Sequence, residues 1–321
     1  MTEKQGYTHG LHDLGNGNFA WLQPDGSWGL NNAGLMVGRD KTVLVDTLYD
    51  LARTRAMAAA MAGAVPAAAK MDMVINTHAN GDHCYGNQLF AQAEIVASKA
   101  CAEEFATETP PQLMVDMLKA ADQMGALGRY FADAFGRFDF EGIVLTPPTR
   151  TFQGELTLDI GGKTLRLMEV GPCHTRGDIM VWVPEDRLLF AGDILFVNGT
   201  PIMWDGPVGN WIGACERILT LDAETIVPGH GPLCGRAQVE AVRDYWRYLE
   251  TAARQCHTAG MPPDEAARSL FDNPYAHWTD PERVAINVDA LYREFNGDHT
   301  PANRVALFDL MARIRYGAQA A

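Results

Sequence analysis

Short apolar runs with the twofold alternation of strands interleave with helical segments up to about residue 235, and then the strands stop. The pattern predicts early strands at 19–23 and 34–46, the second carrying the β-branched run Thr42-Val43-Leu44-Val45. Pro24-Asp25-Gly26 reads as a turn between them. Further strands are expected at 73–76, 95–97, 156–160, 164–169, 179–183 and 188–191, with a short one at 225–227 closed by Pro228. Helices are expected at 51–64, which is alanine-rich, and at 210–221. An apolar helical insertion spans about 110–142, with Leu113, Met114, Met117, Leu118 and Met124 near helical spacing. Strand and helix in alternation place this part in the α/β class. Beyond Gly235 the spacing of Val239, Val242, Tyr245, Trp246 and Leu249 predicts a long helix over 238–257, followed by helices at 264–271, 283–295 and 303–315. The organisation is thus a first domain over 1–235 and a C-terminal helical extension over 236–321.

Composition narrows the function classes. With 47% hydrophobic and 21% charged residues the chain is globular. A formal charge of −14 repels phosphate backbones and anionic membranes, and no lysine or arginine run marks a basic patch, so neither nucleic acid nor a membrane is an expected partner. The six cysteines include no Cys-x-x-Cys pair and suit a reducing compartment. The N-terminal MTEKQGYTHG lacks an apolar signal core, and no apolar run reaches bilayer-spanning length. A cytoplasmic protein is the expectation.

Four segments carry chemistry. Asn76-Thr77-His78-Ala79-Asn80-Gly81-Asp82-His83 leaves a strand with two imidazoles, a carboxamide and a carboxylate within six residues. Imidazole and carboxylate are the usual ligands of zinc and related ions, and Gly81 frees the backbone to turn. Gly171-Pro172-Cys173-His174, Phe190-Ala191-Gly192-Asp193 and Val227-Pro228-Gly229-His230 repeat the arrangement, each placing a ligand-type residue beside glycine or proline at a strand exit. Any one alone would read as a solvated turn or a cap; four in series do not. Cys84 and Cys173 each adjoin a ligand but read as small buried hydrophobes. Thr175 and Asp178 read as supports for the His174 loop, and Arg176 either as a contact for an acidic substrate or as a surface ion pair.

In order and spacing these four segments resemble the motifs of the metallo-β-lactamase superfamily over roughly residues 15–235. The resemblance implies an αββα sandwich with its site along one edge of two packed sheets. It implies that His78 and His174 bind a first metal, that Asp82, His83 and His230 bind a second, and that Asp193 bridges them. The superfamily usually has histidine where this chain has Asn80. Asn80 could ligate directly, favouring manganese or iron over zinc; it could hold a ligating water; or only the second site could fill. Two ions, the first held more weakly, is the favoured arrangement. The implied chemistry is hydrolysis by a metal-bound hydroxide, with Asp82 orienting it and moving its proton.

The insertion and the stretch after Asp193, with Met203, Trp204 and Trp211, are the expected substrate walls. Together with the hydrolysis the resemblance implies, they point to an ester, thioester or lactone of an apolar or aromatic small molecule. The same fold supports β-lactam hydrolysis, sulfate-ester hydrolysis and iron-dependent sulfur oxidation, and a decayed site could serve as a binding module. The tail leaves two arrangements open, packing on its own subunit or pairing two copies in a homodimer.

Overall fold

The structure, a computed structural model, describes residues 8–317; the ends of the two predicted domains, 1–7 and 318–321, lie outside the described residues. A seven-stranded sheet runs in chain order: β1 (Gly10–Gly15), β2 (Asn18–Leu22), β3 (Ala33–Val37), β4 (Thr42–Val45), β5 (Met73–Ile75), β6 (Glu94–Ser98) and β7 (Arg150–Phe152). The first four are antiparallel neighbours and β4 to β7 are parallel. A second sheet orders β12 (Thr225–His230), β11 (Leu188–Phe196), β10 (Ile179–Val183), β9 (Thr164–Glu169) and β8 (Glu155–Asp159), antiparallel except for β11 with β12.

Alternation along each strand sorts its side chains between two faces. Val43, Val45, Met73 and Ile75 of the first sheet meet Ile179, Val181, Val183 and Leu188 of the second in one buried core. Leu44 and Val74 point the other way, onto Met57 and Met61 of α1 (Leu51–Ala64). Met180, Trp182 and Leu189 face a third core, which includes Trp211 of α6 (Val208–Thr220). The layers are therefore helix, sheet, sheet, helix. Short helices α2 (Gly81–Cys84) and α3 (Lys99–Glu104) follow β5 and β6, and the insertion folds into α4 (Pro111–Ala120) and α5 (Gly125–Phe135).

The predicted strand over 34–46 is two strands. Gly38-Arg39-Asp40-Lys41 forms a hairpin turn in which the Gly38 amide donates to the Lys41 carbonyl, and Val37 pairs with Thr42 across it. Strands β1 and β7 were not predicted; both are sheet edges, only half-buried, so their sequences show no apolar alternation. Strand β11 runs on from Ala191 to Phe196, because its whole length is buried between layers.

The extension forms α7 (Arg236–Thr258), α8 (Pro263–Ser269), α9 (Val284–Asn296) and α10 (Arg304–Tyr316). Helix α7 buries Val239, Val242, Tyr245, Trp246 and Leu249 in the same core as Trp211 and Ile194. Helix α10 brings Phe308 against Phe131 and Phe135 of α5, so the tail and the insertion meet. Among the described residues no helix is long and apolar enough to cross a membrane.

Candidate metal centre

The ligand-type residues converge where the two sheets share an edge. His78 and His83 follow β5, His174 follows β9, Asp193 lies within β11 and His230 ends β12. Backbone detail brings them close. Gly229 allows β12 to pass Asp193, since a Cβ there would sit 1.9 Å from Asp193 Oδ1. Asp178 accepts from the amides of Cys173 and Thr175, and its other oxygen accepts from the Thr175 hydroxyl, so the His174 loop is tied by a buried carboxylate.

Asp193 is the hub. Its oxygens lie 3.1 Å from His83 Nε2, 3.3 Å from His174 Nε2, 3.4 Å from His230 Nε2 and 3.7 Å from His78 Nε2. Asp82 Oδ2 is 3.4 Å from His230 Nε2 and 3.9 Å from His83 Nε2. The partners of the other ring nitrogens fix the tautomers. His174 Nδ1 lies 2.6 Å from the Ile202 carbonyl, which can only accept, so Nδ1 carries the proton. His83 Nδ1 donates to Asp46 Oδ2 at 2.9 Å. The Thr77 hydroxyl donates to Asp46 at 2.7 Å and therefore accepts from His78 Nδ1 at 3.0 Å. In their neutral forms all three rings thus turn an Nε2 lone pair inward.

The Nε2 atoms of His78, His83 and His230, with Asp193 Oδ1, are buried and make no hydrogen bond among the described residues. Buried polar atoms are seldom left so. Here several acceptors point at one another, and a divalent cation would satisfy them together. His78, His83 and Asp193 form one close group, and Asp82, His83 and His230 another. The second group is the set the resemblance implies for the second metal; the first shares His83 with it and leaves out His174, so the donor chemistry fits a divalent ion without dividing the residues between two sites as the resemblance does.

Electrostatics follow from burial among opposed charges. Burial, reinforced by the neighbouring His83, pushes His78 well below the ordinary histidine range, and burial also lowers His174. Burial acts on His83 and His230 in the same sense, yet carboxylates outweigh it: Asp193, Asp46 and Asp82 raise His83, and Asp193 with Asp82 raise His230 to about 9. Burial would raise Asp193, but His230, His83 and His78 hold it well below its usual value.

Sequence reasoning missed Asp46. It follows β4 in the left-handed region, at φ 61°, and accepts from the Thr77 amide, the Thr77 hydroxyl and His83. An apolar run ending in aspartate, as at Asp193, was the available signal. It also missed Glu108, whose side chain is almost wholly buried beside Asn80 and whose carboxyl burial pushes up to about 7.

A cleft of about 220 Å³ opens above the ligands. Asn80, Asp82, His174, Asp193 and His230 form its polar floor. Its walls are Met114 and Met117 of α4, Leu127, Phe131 and Phe135 of α5, Trp28, Trp204, and Phe308 of α10. Leu113 and Val305, two of the three exposed large hydrophobics among the described residues, rim it. Of the three expected substrate residues only Trp204 lines this cleft. Trp211 and Met203 lie in the core. Trp211 donates to the Ile194 carbonyl and packs on Trp246, its ring standing 6.1 Å behind that of His174. Both are fully buried: Trp246 of α7 covers Trp211, and the Met203 amide donates to Asn287 Oδ1 of α9. Arg176 pairs with Glu104 at 3.6 Å, and Cys84 and Cys173 are buried, with burial raising both thiols.

Comparison with known proteins identifies the family. The sequence profile described as the metallo-beta-lactamase superfamily matches residues 26–230. The chain is 33% identical over 152 residues to the 2,4-dinitroanisole O-demethylase subunit alpha of Nocardioides sp. (strain JS1661), covering 44% of this chain and 46% of that protein. It is 25% identical to the acyl-coenzyme A thioesterase MBLAC2 of Bos taurus over 72% of this chain and 83% of that one. The stereoselective inverting sec-alkylsulfatase Pisa1 from Pseudomonas sp. superposes with a TM-score of 0.66 at 16% identity, over 92% of this chain and 52% of that structure, a likeness of fold. The match to the demethylase subunit thus spans less than half of that relative's length. With the profile covering most of the chain and both sheets and the ligand loops in place, the chain belongs to the metallo-beta-lactamase superfamily.

Proposed function

We propose that the chain is a metal-dependent hydrolase that opens an ester, thioester or lactone bond in an apolar or aromatic small molecule. Zinc, as one or two ions, is the cofactor this reading favours, with manganese or iron as alternatives. The observation that carries it is the cleft: a floor of metal-type ligands beneath walls in which methionine, leucine, phenylalanine and tryptophan predominate.

A divalent ion lowers the pKa of a coordinated water to about 7 and so supplies a hydroxide-like nucleophile at neutral pH. The protein's own groups do the rest. In the metal-free protein His83 and His230 hold Asp82 ionised against its burial, a role a bound cation would take over, and its side chain, 15% exposed, faces the cleft. Asp82 is placed to take a proton from the attacking water and return it to the leaving group. The apolar walls hold the acyl or aryl part and keep bulk water from the reacting carbonyl. A relative named as an acyl-coenzyme A thioesterase supports acyl transfer to water. The charge of −14 disfavours a polyanionic leaving group, so simple thioesters and esters are the better substrates. Arg283 and Arg304, which also line the cleft, favour one second reading, hydrolysis of an alkyl sulfate ester.

The test is a panel of aryl esters, acyl thioesters, lactones and alkyl sulfates of graded apolar size, assayed before and after chelation and with zinc restored. Acid release that chelation abolishes and zinc restores is the expected result, with Asp82→Asn reducing it at least a hundredfold. Sulfate release without acid release would select the second reading, and turnover of none of the panel by metal-loaded protein would refute both.

A further inference from the structure

Asn80 is the N-cap residue of α2, a position where asparagine commonly accepts from the first-turn amides, yet its side chain makes no capping bond. It is committed elsewhere. Its Oδ1 lies 2.7 Å from His174 Nε2, and its Nδ2 donates to Glu108 Oε2 at 3.4 Å. The first of these contacts is informative because His174 spends its Nδ1 proton on the Ile202 carbonyl. In the neutral ring Nε2 is then a lone pair, and it faces a second acceptor, the amide oxygen. Two acceptors that close suit a cation between them. Rotating the amide by half a turn would relieve them by offering an N–H to His174, but that would consume the lone pair His174 needs as a ligand and set the amide oxygen against the Glu108 carboxylate.

We propose that Glu108 is a positioning residue for the first metal site: by accepting from Asn80 Nδ2 it fixes the amide with its oxygen inward, making Asn80 a metal ligand where the superfamily usually has histidine. The proposal rests on the reading that the site holds metal. Glu108 is itself anchored. It precedes Pro110-Pro111, which stiffen the entry to α4, and Arg304 Nη1 lies 4.0 Å from its Oε2 and 3.3 Å from the Thr109 hydroxyl. That guanidinium comes from α10, so the helical extension steadies a group behind the metal ligands. Partners in this relation to a ligand alter metal affinity by about 10–100-fold when removed.

The experiment measures metal content and release to a competing chelator in the full chain, its Glu108→Ala variant, Asn80→His, and the double variant, with no substrate present. We expect two classes of ion in the unaltered protein. Glu108→Ala should loosen the weaker class at least tenfold and leave the tighter class within about twofold. In the Asn80→His background, where imidazole ligates without help, adding Glu108→Ala should change neither class by more than about twofold. Glu108→Gln reports the same coupling should the alanine variant not fold, loosening the weaker class only where Asn80 is present. The proposal is overturned by an unaltered chain that holds a single ion, by equal loosening of both classes, or by the same loss in the Asn80→His background. An unaltered chain that binds no ion overturns the hydrolase reading as well, which separates the two failures.

Discussion

At the scale of single residues, the site depends on which ring nitrogen keeps its proton. Asp46 receives His83 directly and His78 through Thr77, so one buried carboxylate sets two inward lone pairs. Asp46→Ala should lower metal affinity about 10–100-fold while the protein stays folded, read by chelator competition beside circular dichroism; unchanged affinity would deny Asp46 this role. His230 gives a pH prediction. With Asp193 and Asp82 raising it to about 9 against its burial, it is protonated in the metal-free protein at neutral pH and must lose that proton to ligate. Metal binding at pH 7.5 should therefore release at least one proton, and apparent affinity should rise with pH. Calorimetry in buffers of different ionisation enthalpy measures it. The cluster of ligand-type residues could be read from the sequence because imidazole and carboxylate recur beside glycine at strand exits. Asp46 and Glu108 could not, because a lone carboxylate reads as an ordinary cap or surface residue until the fold sets a histidine or an amide against it.

Among the elements, legibility followed burial. The spacing of Val239, Val242, Tyr245, Trp246 and Leu249 marked α7 because only one face of that helix is covered. The edges β1 and β7 gave no such mark. Trp204 and Trp211 show where pattern stops informing: seven residues apart on the same stretch, one lines the cleft and the other is sealed between α6 and α7. No periodicity in 200–211 says which, since the answer depends on where α7 lies. Trp211→Ala should cost about 3–5 kcal/mol of stability, visible as a lower denaturation midpoint. Trp204→Ala should leave that midpoint nearly unchanged and lower kcat/KM for apolar substrates. The reverse pattern would misplace both residues.

For the whole molecule, the division at residue 235 marks a change of secondary structure and no break in the core. Trp182, Ile194 and Trp211 from before it are buried with Val242, Trp246 and Leu291 from after it. A chain ending at 235 should therefore expose this apolar face and aggregate, read as loss of soluble yield and of a defined size by light scattering. A monodisperse, metal-binding fragment 1–235 would show instead that the first domain stands alone. The sandwich was legible from alternation and motif order; the partnership between insertion and tail was not, because α5 and α10 lie far apart in the chain and nothing in either helix's own pattern names its partner.

The order in which parts of the cleft occur along the chain has a consequence for synthesis. The polar floor is incomplete until His230, and the apolar wall until Phe308. A nascent polypeptide leaving the ribosome can present six of its ligand-type side chains, Asn80 among them, well before the seventh arrives, and can grip a cation through all of them only once residue 230 has emerged. Even then the binding hollow stays open on one side until the last helix docks. Reactivity towards small molecules in the cell would thus be withheld from unfinished copies by the arrangement of the gene product itself.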